Sequence, residues 1–408
     1  MRSVARDRRF RDDFVFGASV AAHQVEGGNV NSDWWVWEHQ AGTRCAEPSG
    51  DACDFYHRYR DDVRLLAELG LQAFRFSIEW ARIEPAPGEF SLAALDHYRR
   101  VLTTCHEYRI TPVVTFQHFT LPRWVQDAGG IESEDFPGLF SRYCDRASES
   151  LGDLIGWACT INEPEVLVVM GYMTGGHPPG RRYAWDDAAR VGATLVEAHN
   201  AGAAAIRSHC QVPVGATLAL VDIQYEHGAQ PGDSIPELLM RVTDQFLENV
   251  SGDQFVGVQT YTRAVVGREN GGDPLFISRD SETESATQVG WENYPQALGA
   301  TVRLIAKKTL GKLPILVTEN GIATAFDEKR IRFMEQALTS LHDCIRDGVD
   351  VRGYLHWSLL DNFEWNSGYG PKFGLVAVDR TTFERRLKPS ARWLGEIART
   401  RTLPAQLP

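Results

Sequence analysis

The sequence predicts an α/β fold, a single closed (β/α)8 barrel that is expected to span residues 1–408 as one domain. Short runs of β-branched and aromatic residues alternate with helix-patterned stretches, and eight such strand-then-helix units follow one another. Several strand runs, such as Val113–Phe116 and Ile315–Val317, are continuously apolar, which is typical of parallel strands covered on both faces. Because no Pro/Ser-rich linker interrupts the series, one barrel is favoured over several domains.

The elements are predicted in chain order from these patterns. The runs expected to form strands are Phe14–Ala18, Ala73–Ile78, Pro112–Phe116, Gly156–Ile161, Pro213–Leu220, Gln254–Tyr261, Pro314–Thr318 and Gly353–Ser358. The stretches expected to form helices are Phe55–Leu69, Leu92–Tyr108, Gly138–Leu151, Asp186–His209, Ile235–Asn249, Pro295–Lys308, Lys329–Asp347 and Pro389–Arg399. The alternative is an open doubly wound sheet, which needs a glycine-rich phosphate turn after an early strand. Gly27-Gly28 follows the first strand but lacks the G-x-G-x-x-G spacing.

Charge and composition exclude several classes of protein. A net charge of -12 argues against nucleic acid as a partner, because phosphate binding needs a basic face. No apolar run is long enough to span a membrane. The Arg-rich start, Met1–Phe10, lacks the apolar segment of a signal peptide, so a cytoplasmic location is expected. The seven cysteines read as reduced thiols, with a Cys45–Cys53 bridge or metal clip as the alternative.

Polar and aromatic clusters follow seven of the eight predicted strands. In a (β/α)8 barrel, functional side chains lie at the carboxyl ends of the strands. The clusters are His23–Glu26, Glu79-Trp80 (with Arg75 inside the strand), Gln117–Phe119, Asn162–Pro164, Gln259–Tyr261, Glu319–Gly321, and Trp357-Ser358 with Asp361–Trp365. The fifth strand alone has no such cluster at its end. Eleven tryptophans suggest a ligand that stacks on flat rings, such as a sugar or a nucleobase, or else a Trp-rich core.

Two carboxylates stand out at these strand ends, Glu163 after the fourth strand and Glu319 after the seventh. A charge at the end of a buried strand is poorly solvated, so it needs a partner or a function. Strands four and seven of a closed ring of eight face each other across its mouth. Glycoside cleavage needs such a pair, and a separation of about 5–5.5 Å would give retention of anomeric configuration. The alternative is two ion-paired glutamates that only hold the barrel together.

Several motifs in order resemble glycoside hydrolase family 1, the β-glucosidase-like glycosidases. The matching segments are Gln24–Gly27, Phe74–Ile78, Thr160–Pro164, Gly290–Pro295, Thr318–Gly321 and Trp357–Trp365. They run in family order over nearly the whole chain. The resemblance implies a (β/α)8 barrel and a retaining β-glycosidase, most plainly a hydrolase of β-D-glucosides, without a cofactor or metal.

The resemblance also implies roles for individual residues. Glu163 is similar to the family's acid/base and Glu319 to its nucleophile, while Arg75 and Tyr261 resemble groups that keep Glu319 ionised and oriented. A raised pKa is expected for Glu163, since it must carry a proton at working pH. The residues that resemble sugar-binding groups are Gln24, His118, Asn162, Trp357, Glu364 and Trp365. Among them, Asn162 resembles the partner of the sugar 2-hydroxyl, Trp357 the platform under the ring, and Glu364 a bidentate acceptor for two hydroxyls.

Two departures from the family pattern bear on sugar preference. Gln259 stands where the family usually has asparagine, and Phe119 stands where tryptophan is common. A phosphosugar substrate is disfavoured because Glu364 would repel phosphate and only Lys372 is basic nearby. Other functions remain open: a transglycosidase that uses an alcohol acceptor, and a non-catalytic sugar-binding protein. A metal-dependent barrel enzyme lacks the usual H-x-H or H-E-x-x-H spacing. Oligomeric state is left open.

Overall fold

The computed structural model describes residues 8–227, 229, 232, 234–249, 252–267 and 286–404. The sequence start discussed above lies partly outside this range, since residues 1–7 are not described. Eight parallel strands close into a barrel in chain order, and the predicted fold is confirmed. The barrel strands are β1 Val15–Ser19, β2 Ala73–Ser77, β3 Thr111–Gln117, β4 Trp157–Asn162, β5 Val214–Tyr225, β6 Val256–Val266, β7 Ile315–Glu319 and β8 Val351–Trp357. The ring is closed by β1 pairing with β8, from Val15 opposite Gly353 to Ser19 opposite Trp357.

Eight long helices follow these strands in the described part of the chain. They are α1 Phe55–Glu68, α2 Leu92–Glu107, α3 Phe136–Leu151, α4 Trp185–His209, α5 Ile235–Asn249, α6 Ala297–Lys308, α7 Asp327–Arg346 and α8 Pro389–Thr400. Short helical segments occupy the loops: Ala22–Val25, Asp33–His39, Trp80–Ile83, Arg123–Asp127, Gly130–Glu132, Gly152–Leu154, Pro164–Val168, a π-helical turn Val169–Met173, and Trp365–Ser367. Two small antiparallel pairs lie outside the barrel, Arg8–Arg9 with Thr402–Leu403 and Val376–Val378 with Arg385–Leu387.

The predicted ends of the fifth and sixth strands were wrong. Both strands continue past the rim of the barrel, where Asp222–Tyr225 pairs with Arg263–Val266 after a register shift. Polar and apolar residues alternate in the β5 extension, and most residues of both extensions are only partly buried. The carboxyl-terminal mouth is therefore taller on the β5–β6 side than the sequence predicted.

The interior of the barrel is filled at its amino-terminal end. Ala73, Val113, Cys159, Phe255, Leu316 and Leu355 form a separate buried cluster there, distinct from the main core between barrel and helices. The barrel is thus a packed core and not a pore, which leaves only the carboxyl-terminal mouth open for a ligand. All seven cysteines are free and six are buried, so the prediction of space-filling thiols is confirmed and a Cys45–Cys53 bridge is absent. In the described residues, no helix combines the length and apolarity needed to cross a membrane.

The glycine of the Thr318–Gly321 segment is required by a close approach of two strand ends. A Cβ atom at Gly321 would overlap the carbonyl oxygen of Trp357. We expect Gly321→Ala to lower the free energy of unfolding by about 1–3 kcal/mol, the usual cost of overpacking. Urea denaturation measures this effect: the midpoint concentration should fall while the dependence of the free energy of unfolding on urea concentration stays the same.

Gly138 supplies the matched control for that substitution. It lies in α3, where an added Cβ meets nothing within 4 Å. Gly138→Ala should leave stability unchanged or raise it by up to ~1 kcal/mol through helix propensity. Equal midpoints for the two variants would contradict the close approach at Gly321.

Candidate active site

A cavity of about 340 Å³ opens at the carboxyl-terminal mouth of the barrel. Eight of the ten predicted site residues line it: Gln24, His118, Glu163, Tyr261, Glu319, Trp357, Glu364 and Trp365. They come from the ends of β3, β4, β6, β7 and β8 and from the loops after β1 and β8. Arg75 and Asn162 are fully buried and are absent from this wall. The strand ends therefore bring the predicted residues together, with two of them behind the surface that a ligand meets.

The Glu319 side chain is held from two sides. Arg75 donates from Nη1 to Oε1 at 2.5 Å, and the Tyr261 hydroxyl donates to Oε2 at 2.5 Å. Arg75 is itself fixed, because Nε donates to Thr115 Oγ1 at 3.0 Å and Nη2 donates to Asn162 Oδ1 at 2.5 Å. These contacts leave the carboxylate with one orientation at the bottom of the cavity.

Asn162 connects the two carboxylate-bearing strands. Besides Arg75, its Oδ1 accepts from Gln259 Nε2 at 2.9 Å and from Thr217 Oγ1 at 3.2 Å. Its Nδ2 lies 3.4 Å from His118 Nε2. Gln259, the departure noted in the sequence, thus uses its longer side chain to contact Asn162. Asn162 Oδ1 therefore accepts from three side chains, and its Nδ2 group faces His118.

The Glu163 backbone adopts an uncommon conformation. Its φ of 46° and ψ of 61° are left-handed, and its N–H donates to the Thr217 carbonyl at 2.8 Å as the short helix Pro164–Val168 begins. Phe119 and Trp365, which also line the cavity, have φ of 68° and 54°. Non-glycine residues hold such conformations only where their surroundings impose them, at a cost of about 1–3 kcal/mol each. Three such residues around one cavity indicate that the directions of their side chains are strongly constrained.

The two carboxyl groups differ in acidity. Burial raises the pKa of Glu163 well above its ordinary value, and the charge of Glu319 raises it further. Burial also raises the pKa of Glu319, against lowering by Arg75 and by the Tyr261 hydrogen bond. Arg75 and Tyr261 thus favour the ionised form of Glu319, in the predicted direction, but they offset its burial only in part. In the described part of the chain, hydrogen bonds of this kind reach Glu319 and not Glu163, so Glu319 is the more acidic member of the pair.

The wall above the carboxylates is aromatic and carries unsatisfied polar atoms. The His118 ring lies nearly parallel to those of Trp357 and Trp365, with centroids 5.9 and 6.1 Å away. Burial lowers the pKa of His118 well below its usual value, so the ring is neutral near pH 7. Among the described residues, neither His118 Nδ1 nor Gln24 Oε1 has a partner although both atoms are buried. Such atoms suit a ligand that is rich in hydroxyl groups.

Burial raises the pKa of Glu364 to about 8, opposed by a hydrogen bond from Trp357 Nε1 at 3.4 Å. Hydroxyl donors of a bound sugar would favour the ionised form. The bidentate grip of Glu364 on two hydroxyls therefore stays a prediction.

His177 is a cavity residue that sequence reasoning missed. Its ring packs against Trp34 and Phe119, with centroids 4.8 and 5.4 Å away, and burial lowers its pKa to about 3. Its Nδ1 is buried without a partner in the described part of the chain. His177 follows the π-helical turn and not a strand end, so no pattern in the sequence placed it near the site.

The fold and the site together define a class of enzyme. Two carboxyl groups of unequal acidity share one cavity with stacked aromatic rings and unpartnered hydrogen-bonding atoms, at the catalytic end of a (β/α)8 barrel. These are the parts of a barrel glycoside hydrolase. In the residues that the structure describes, no group of three His, Cys, Asp or Glu side chains is placed to hold a metal ion.

The chain belongs to glycosyl hydrolase family 1. The sequence model described as "Glycosyl hydrolase family 1" matches residues 6–251 and 237–403. β-Glucosidase A of Acetivibrio thermocellus is 30% identical, over 95% of this chain and 98% of that protein. The crystal structure of β-glycosidase BGL167 is 47% identical, with a TM-score of 0.85 over 98% of this chain and 99% of its own. The β-glycosidase from Pyrococcus horikoshii is 34% identical, with a TM-score of 0.86 over 98% and 97% of the two chains.

Proposed function

We propose that this glycoside hydrolase cleaves β-D-glucosides with retention of configuration, with Glu319 as nucleophile and Glu163 as acid/base. The observation that carries the proposal is the asymmetry of the two carboxyl groups. Glu319 accepts hydrogen bonds from Arg75 and Tyr261, whereas no such donor reaches Glu163 from the described residues and the Glu163 pKa is raised further. Support for glucosides comes from the related β-glucosidase A of Acetivibrio thermocellus.

The first step uses the protonated Glu163 and the ionised Glu319. Glu163 gives its proton to the glycosidic oxygen while a Glu319 oxygen attacks the anomeric carbon. The C–O bond to the leaving group breaks, an ester to Glu319 forms, and the alcohol departs. Arg75 and Tyr261 orient the attacking carboxylate, so little rearrangement is needed before the step.

The second step reverses these roles. Once Glu319 is esterified its charge is gone, so the Glu163 pKa falls and the carboxylate form of Glu163 is favoured. The Glu163 carboxylate takes a proton from water, whose oxygen attacks the anomeric carbon and releases Glu319. Two inversions at the same carbon leave the sugar in its original β configuration.

The sugar is proposed to lie over Trp357, with hydroxyls on Gln24, His118 and Glu364. A Glu364 that binds hydroxyl donors gains hydrogen bonds that favour its ionised form, so sugar binding should lower its pKa. The cavity wall contains no Lys or Arg among the described residues, which leaves a sugar phosphate without a cation. This lack of a cation adds to the predicted repulsion between phosphate and an ionised Glu364.

A panel of nitrophenyl glycosides tests the substrate assignment. We expect the β-glucoside to be cleaved, the α-glucoside to be inert, and the 6-phospho-β-glucoside to be cleaved far more slowly than the β-glucoside. The β-galactoside differs from the β-glucoside only in the configuration at C4. Its rate therefore shows how strongly the cavity wall selects the orientation of the 4-hydroxyl. Faster cleavage of the phosphorylated sugar, or of the α-anomer, would refute the assignment.

Tyr261 offers a test of how Glu319 is tuned. Tyr261→Phe removes a hydrogen bond to the ionised form, so the Glu319 pKa rises and the acidic limb of kcat/KM moves to higher pH. The maximal rate should fall by about tenfold to hundredfold, the value of a hydrogen bond to a charged group. The ring contacts of Tyr261 with Trp291 and Phe373 are kept by phenylalanine.

A second buried tyrosine serves as the control for this change. Tyr354 on β8 donates to Asn320 Oδ1 at 3.0 Å and has no bond to either carboxylate. Tyr354→Phe should leave the acidic limb where it is. If both variants shift the limb equally, the Tyr261 hydroxyl has no specific role at Glu319.

A further inference from the structure

The cavity has a second half whose walls are aliphatic. Away from the sugar-binding residues, it is lined by Val166, Met170, Leu220, Val221, Ile235 and Leu239. These come from the helical segment after β4, from β5 and from α5. This half includes Leu220, where the sequence predicted the fifth strand to end without a polar cluster. An apolar wall of this size beside the two carboxyl groups indicates that this half of the cavity prefers apolar ligand groups.

The aliphatic wall begins at Glu163 itself. Glu163, Val166 and Met170 are half-buried and line the cavity, whereas Pro164, Leu167 and Val168 between them are buried in the core. Spacings of three and four residues place side chains on one face of a helix. Glu163 is proposed to protonate the leaving oxygen. The carbon atoms of the leaving group are therefore expected to contact Val166 first and Met170 next.

A neighbouring helix extends the same surface. Ile235 and Leu239 lie four residues apart in the first turns of α5, are half-buried, and line the cavity. The helix Pro164–Val168 contacts α5 directly. The leaving group therefore meets aliphatic side chains from two adjacent helices.

Two polar side chains of the cavity wall, Thr262 and Asn366, already have protein partners. Thr262 donates from Oγ1 to the Glu292 carbonyl at 2.9 Å. Asn366 accepts from Trp37 Nε1 at 3.2 Å and donates to the Gly176 carbonyl. A second sugar ring placed here would lose its hydrogen bonds with water and find few replacements, which is costly.

Given the proposed glucosidase reaction, on which this inference rests, we propose that the leaving-group half binds a compact aliphatic alcohol in preference to another sugar. The natural substrates would then be β-glucosides of medium-chain or branched alcohols. The wall contributes by burying the methylene groups next to the glycosidic oxygen while Glu163 protonates that oxygen.

Alkyl β-glucosides of increasing chain length test the inference within one enzyme preparation. From methyl to ethyl, propyl and butyl glucoside, we expect kcat/KM to rise about fourfold per methylene, equivalent to about 0.8 kcal/mol for each buried CH₂. Hexyl glucoside should be a far better substrate than cellobiose, whose leaving group is a sugar. All concentrations are kept below those at which alkyl glucosides form micelles.

An isosteric variant assigns the effect to the wall. Val166→Thr keeps the side-chain shape but adds a hydroxyl, and should lower kcat/KM for hexyl glucoside about tenfold, within the cost of placing a polar group in an apolar site. The loss for methyl glucoside, which presents a single carbon to the wall, should be much smaller, and an unchanged urea midpoint would show that the variant is folded. Val30→Thr, at a valine that is 54% exposed, is the matched control and should affect neither substrate.

The outcomes separate the two proposals. A flat alkyl series, or cellobiose as good a substrate as hexyl glucoside, overturns the aliphatic leaving-group site while leaving the glucosidase reaction intact. If none of the β-glucosides is cleaved, including methyl and nitrophenyl glucoside, the proposed function fails and this inference fails with it.

Discussion

Glu319→Ala is expected to lower kcat for a nitrophenyl β-glucoside by about 10⁵-fold, on the scale of removing a covalent nucleophile. Sodium azide should restore a large part of the rate, because the truncated side chain leaves room for a small anion beside the anomeric carbon. Azide then attacks from the side that Glu319 occupied, while Glu163 still protonates the leaving oxygen. The product should be the α-glucosyl azide, the result of a single inversion.

The control for this variant is another glutamate-to-alanine change on the chain. Glu328 is exposed in the first turn of α7 and lies outside the cavity wall. Glu328→Ala should retain full activity and show no response to azide. A Glu319→Ala enzyme that is folded yet ignores azide, or that keeps most of its activity, would remove Glu319 from the nucleophile's role.

Glu163→Gln is expected to produce a loss that depends on the leaving group. With an alkyl glucoside, whose leaving oxygen needs a proton, kcat/KM should fall by about 10³–10⁴-fold, near the upper range for general acid catalysis. With a dinitrophenyl glucoside, which leaves without a proton, kcat/KM should change little. Its kcat should still fall, with a burst of phenol, because water lacks its base in the second step.

The pH dependence of the same variant gives an independent readout. Glu163 acts in its protonated form in the first step, so activity in the parent enzyme is lost as pH rises through its raised pKa. Glutamine does not titrate, so the basic limb of kcat/KM should disappear. Azide rescue should here yield the β-glucosyl azide, opposite to the product from Glu319→Ala. An equal loss for alkyl and dinitrophenyl glucosides would exclude Glu163 as the acid.

The positions of the predicted site residues could be inferred from the alternation of strand and helix segments along the chain. Once β4 and β7 were recognised as barrel strands, the positions of Glu163 and Glu319 at their ends were fixed, and both line the cavity. The ionisation states of these side chains were harder to predict from the sequence than their positions. They depend on the balance between burial and specific partners, so the net upward shifts at Glu319 and Glu364 required coordinates.

The leaving-group half was the least predictable part of the site. Val166 and Met170 belong to the connection after β4, whose path depends on packing against α5 and not on a repeating pattern. The predicted end of the fifth strand was informative about this half of the cavity. Its lack of polar residues at the end was an unexplained exception in the sequence, and in the structure Leu220 and Val221 form part of the apolar wall.

Proton NMR of the glucose released in the first minutes of reaction tests the arrangement of the two carboxyl groups most directly. If Glu319 and Glu163 act on opposite faces of one anomeric carbon through an ester intermediate, β-glucose appears first and the α-anomer grows in only by mutarotation. Initial release of α-glucose would mean a single displacement by water, and would contradict the assignment of Glu319 as a nucleophile.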